Sequence, residues 1–143
     1  MSAWRRRALE IFPELGRELT SADVESTYAL WMNVLLPRVR EAHAQDDKKM
    51  LRQIYGYAAW SMRQPAKDVR NAAAVTFYEH LFDKPQSDNW IETVVDWVPD
   101  DVVRDVWSLW AEGPHRLSDP NLVRLRKQLA ARPNLKTWLK EHS

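Results

Sequence analysis

The chain has 143 residues, 21 basic and 20 acidic side chains, a net charge of +1 and no cysteine. This length suits one domain, here 1–143, with a core that holds without staples; the missing thiols exclude disulfides and thiolate metal sites, and the charge balance argues against a chain-wide nucleic-acid binder. No apolar run approaches the roughly 18 residues of a membrane span, and the basic opening MSAWRRRALEIF is not followed by an apolar leader core, so the chain reads as cytoplasmic.

The predicted elements are all helices. Ser2 caps a first one carrying Trp4, Ala8, Leu9, Ile11 and Phe12, and Pro13 interrupts or restarts it. Thr20 or Ser21 offers the next cap, with Asp23 and Glu25 where the positive end of a helix dipole favours acids. Val24, Tyr28, Trp31, Leu35 and Val39 then keep helical spacing, and Pro37 is expected to kink this long helix because it removes a backbone donor. Asp46 or Asp47 caps a third helix whose buried side is Met50, Leu51, Ile54, Tyr57, Ala58 and Trp60.

The fourth, Asp68 to Leu81, is expected to be the central helix. Val69, Ala72, Ala73, Thr76, Phe77 and Leu81 make one face, and its small residues let neighbours approach closely. DKPQSDN follows as a surface loop, with Ser87 or Asp88 capping a short helix that holds Trp90, Ile91, Val94 and Trp97. Pro99 suits the first turn of the next helix, with Val102, Val103, Val106, Trp107, Leu109 and Trp110 behind it. Ser118 or Asp119 opens a helix through Leu122, Leu125 and Leu129, and a last short one holds Leu135, Trp138 and Leu139. With poor strand signals and no repeat at a solenoid period, the reading is an all-α irregular bundle of seven to eight helices, with stacked helical hairpins as one arrangement.

Charge is unevenly placed. Asp83 to Asp105 carries seven acids and two bases, and His115 to Ser143 carries seven bases and two acids, so two segments of opposite sign stand apart in the sequence. Catalytic equipment is not visible: His43, His80, His115 and His142 are scattered singly, no HExxH or GxSxG pattern occurs, and three isolated glycines make no phosphate loop. Asp96, Asp100 and Asp101 lack the glycine and the alternating spacing of a calcium loop. The expectation is therefore no enzyme, no cofactor and no metal site.

Eight tryptophans stand out. Trp31, Trp60, Trp107 and Trp110 fall within apolar faces and read as core, whereas Trp90 and Trp97, seven apart, share a face of a short helix flanked by acids. Rings amid carboxylates make a protein-binding surface in which rings supply affinity and charge speeds encounter. Asp88, Trp90, Glu92, Asp96, Trp97, Asp100 and Asp101 are the candidate surface, with Glu79 and His80 as secondary candidates. The plainer reading is that both rings simply anchor a short helix.

The order YALWMNVLLPRVREAHAQ, then YGYAAW, then DVRNAAAVTFYEHLF, then VPDDVVRDVWSLW resembles a family of small helical bacterial proteins without assigned enzymatic activity, regarded as immunity proteins for polymorphic toxins. The resemblance spans about Tyr28 to Trp110 and rests on a packing pattern. It implies an antitoxin-like role in interbacterial competition: stoichiometric inhibition of a cognate toxin, with the acidic surface facing a basic one such as a nuclease. The Trp-containing loop and the basic C-terminal segment fall outside the pattern, which makes them places for individual specificity. The alternative is a nucleic-acid-associated helical protein using Arg5, Arg6, Arg7, Arg124, Arg126 and Lys127.

Overall fold

A computed structural model describes residues 1–142. It is all-helical, with nine helices and no strand among the described residues. These are α1 (Ala3–Ile11), α2 (13–19), α3 (27–45), α4 (Lys48–Met62), α5 (67–80), α6 (Trp90–Val95), α7 (Asp100–Ala111), α8 (Asp119–Ala130) and α9 (Pro133–Glu141). The ninth arises because Pro13 starts a separate short helix rather than merely interrupting the first. The chain divides into two compact units, Met1–Tyr78 and the residues from Glu79 onward, the boundary falling in the last turn of α5.

In the first unit α4 packs against α1, α3 and α5, and the expected central helix, α5, packs against α3 and α4. Asp47 caps α4 by accepting from the Met50 backbone N–H at 3.1 Å, while Asp46 takes the left-handed conformation that ends α3. The cap of α3 is Ser26, which accepts from Ala29 N–H, so this helix begins later than Thr20 or Ser21 would place it. Arg5 holds the intervening loop to α1 by donating to the carbonyls of Leu19 and Val24.

Two helices of this unit contain a π turn, Trp31–Leu35 in α3 and Ala73–Phe77 in α5. Pro37 follows the first: it has no N–H for the Asn33 carbonyl, and the helix widens into a π turn just before it. In the second, the Thr76 hydroxyl donates to the Ala72 carbonyl, a back-bond that competes with regular helical pairing. The two turns pack on each other around Trp31 and Phe77, both fully buried, and Phe12, Tyr55, Tyr57 and Tyr78 complete an aromatic core. The Tyr57 hydroxyl donates to the Trp4 carbonyl at 2.9 Å, fastening α1 to α4.

In the second unit α6 packs against α8, and α8 against α9. Val102, Val103, Val106 and Trp110 form the buried face of α7, and Leu122, Leu125 and Leu129 that of α8. Ser118 caps α8 by accepting from Asn121 N–H, as the Ser-Asp-Pro opening leads one to expect.

Candidate functional site

The acidic segment and the basic segment, read apart in the sequence, meet inside the second unit. Glu92, Asp96 and Asp100 recur every four residues, and so do Arg124, Gln128 and Arg132; the structure joins them rung by rung with a constant offset of 32 residues. Arg124 holds Glu92 with two bonds, Nε to Oε1 at 2.9 Å and Nη2 to Oε2 at 2.7 Å, and also donates to the Asp88 carbonyl. Such a fork on a carboxylate is the geometry guanidinium groups favour. It holds the Glu92 carboxyl below the ordinary carboxylate range and raises Arg124 further.

Gln128 donates to Asp96 at 2.8 Å. Arg132 forms the last rung and does more, donating to the carbonyls of Val95 at 2.8 Å and Val98 at 2.7 Å and to Asp100 at 3.1 Å. The guanidinium adds a second donor to the Val95 carbonyl, which also accepts from Val98 N–H at 2.9 Å, supplies one to Val98 just beyond the helix, and answers the negative end of the dipole. The six-residue α6 is too short to persist alone and depends on this clamp and on burial of Trp90, Ile91, Val94 and Val95.

Of the residues expected to form a partner surface, Trp90 is therefore an internal anchor, buried with only 5 % exposed. Glu92, Asp96 and Asp100 are turned toward α8, although Asp96 stays exposed. Asp88 is exposed, and Trp97 and Asp101 are half-buried. Beside Asp88 lies a groove of about 270 Å³ whose lining includes Phe82, Trp90 and Ile91 and whose polar edge includes Asp88, Asn121 and Arg124. The four-residue period shared by the two segments was the sequence signal for the ladder, since each period places its members on one helical face.

Glu79 and His80, the secondary candidates, acquire a third member. His115, in the loop after α7, brings its ring to 4.6 Å from that of His80, and its Nε2 lies 4.0 Å from Glu79 Oε1. Histidines read as scattered are thus paired by the fold. Their separation of 35 positions and the absence of any shared helical spacing hid this pairing in the sequence.

The cations of the nucleic-acid alternative are largely engaged internally. Arg5 serves the Leu19 and Val24 carbonyls, Arg7 pairs with Glu10 at 3.1 Å, Arg124 holds Glu92, and Arg126 lies over the Trp107 ring. Arg6, Arg7 and Lys127 are exposed.

Fold and site together define an all-helical protein whose second unit displays a small groove on a rigid, ion-paired platform. The chain belongs to the family described as a domain of unknown function, DUF7674, whose model matches residues 5–102. Neither a curated protein nor a solved structure matches the chain. The match ends early in α7, so His115, Arg124 and Arg132 lie beyond it.

Proposed function

We propose that this protein acts by binding another protein, as an immunity-type inhibitor that neutralises a cognate bacterial toxin one to one in the cytoplasm, without catalysis of its own. The groove beside Asp88 supports this reading most directly. Its surface is mostly polar, with a small apolar floor from Phe82, Trp90 and Ile91 that an inserted side chain can touch, and the Asp88 carboxylate at its edge suits a basic one. The ion-paired ladder beneath it holds α6 in place before binding, so little ordering entropy is lost when a partner docks.

Within this reading Asp88, Asp96, Trp97 and Asp101 face the partner, and Trp90, Glu92 and Asp100 shape the platform from within. Asp88 and Asp96, the exposed pair, steer the encounter with a positively charged toxin. Charge reversal of both, Asp88→Lys with Asp96→Lys, slows association at least about tenfold at low salt and leaves the helical circular dichroism intact. Unchanged association kinetics in that double variant would remove this surface from the interface.

A further inference from the structure

Glu79 and His80 sit in the last turn of α5, and His115 reaches the same point from the loop between α7 and α8. Each offers one ligand atom, and these atoms lie within 4.8 Å of one another. Two imidazoles and a carboxylate form a donor set suited to a borderline divalent ion, with one coordination position left over. Ligand atoms bound at about 2.1 Å to a tetrahedral ion stand about 3.4 Å apart, so modest side-chain rotations close the site.

Two features behind these atoms point the same way. His80 Nδ1 lies 2.9 Å from Asp83 Oδ2, and a carboxylate accepting Nδ1–H leaves the Nε2 lone pair available. That carboxylate–histidine arrangement is the one that fixes the tautomer and orientation of metal-binding imidazoles. Glu79, in turn, has a side chain only 10 % exposed, and its one ion-pair contact among the described residues is His115 at 4.0 Å. A carboxylate so withdrawn from water is costly unless a cation compensates it.

We propose that Glu79, His80 and His115 bind a divalent transition-metal ion of the zinc class, with Asp83 as the positioning residue for His80. The ion fastens the loop after α7 to the end of α5. This inference does not depend on the protein-binding reading.

The test is calorimetric titration of the full chain with Zn²⁺, paired with Co²⁺, whose visible absorption reports coordination number and donor type. The expected result is one ion per chain, a four-coordinate nitrogen and oxygen Co²⁺ spectrum, and a thermal midpoint that rises with Zn²⁺. His115→Gln, at an exposed loop position, lowers affinity at least about 100-fold, and Asp83→Asn lowers it about 10- to 100-fold while His142→Gln leaves it unchanged. Should His115→Gln prove misfolded by circular dichroism, Glu79→Gln takes its place, with the same expected loss. Absence of saturable binding near one equivalent overturns the site. An isotherm that survives in the folded ligand variant, or that responds to His142→Gln instead, also overturns it.

Discussion

The indole of Trp31 is stacked on the ring of Phe77, 4.8 Å between centroids and 29° between planes, and each residue belongs to a π turn of its own helix. The irregular turns aim two large rings at one point, and the pair forms the centre of the aromatic core of the first unit. Truncating either ring leaves a cavity among neighbours that cannot collapse, so Trp31→Ala and Phe77→Ala are each expected to cost about 3–5 kcal/mol in urea unfolding. Trp31→Phe keeps an aromatic partner and removes an indole N–H that has no acceptor in the core, so it costs less than about 1.5 kcal/mol. Near-equal losses for the Ala and Phe variants of Trp31 would show that the stack is not what holds α3 to α5.

Arg132 supports α6 from α8, and its contribution depends on the shape of the guanidinium. Arg132→Ala leaves the Val95 and Val98 carbonyls and Asp100 without this donor, a loss of about 2 kcal/mol. Arg132→Lys recovers less than half of it, because one ammonium cannot span three acceptors on two sides. Hydrogen exchange localises the effect: amides of residues 90–98 lose protection first, while those of α4 keep theirs. Full rescue by lysine would reduce the clamp to a point charge.

The half-buried His43, paired with the buried Tyr55, makes stability depend on pH in a calculable direction. His43 Nε2 and the Tyr55 hydroxyl share a hydrogen bond of 2.7 Å, burial lowers the imidazole below its ordinary value of 6.5 against a partial offset from Asp46, and burial also pushes the tyrosine well up. A histidine depressed in the folded state contributes its full stability above 6.5 and loses it as the pH falls toward the folded value. Denaturant midpoints taken from neutral pH downward therefore decline through that window. In His43→Gln, which still offers Tyr55 an oxygen, the decline is smaller. Equal slopes in the two proteins would assign the titration to other groups.

The helices were legible because their apolar spacing is strong: Trp31, Leu35 and Val39, or Leu122, Leu125 and Leu129, point inward as the period demands. The start of α3 was not, since Thr20, Ser21 and Ser26 are all chemically able to cap and only packing of the preceding loop selects Ser26. Reading the acids of Glu92 to Asp100 as a free surface overlooked that a matching four-residue period recurs 32 positions later. Charge runs describe what a segment carries, and long-range pairing decides what remains for a partner. Trp90 went inward for a related reason: a helix of six residues has few apolar side chains, so its largest ring is needed as an anchor. His80 and His115 share no helical face, and only the turn after α7 unites them.

The central claim is that the chain neutralises another protein by occupying it. Its most direct test captures the tagged chain from its producer and co-expresses it with each captured protein that is toxic alone. The account predicts that one such protein arrests growth by itself, loses its toxicity beside this chain and elutes with it at one-to-one stoichiometry, and that the Asp88→Lys, Asp96→Lys variant protects less well. Growth arrest that persists in the presence of the wild-type chain, or capture of nucleic acid with no toxic protein, would contradict it.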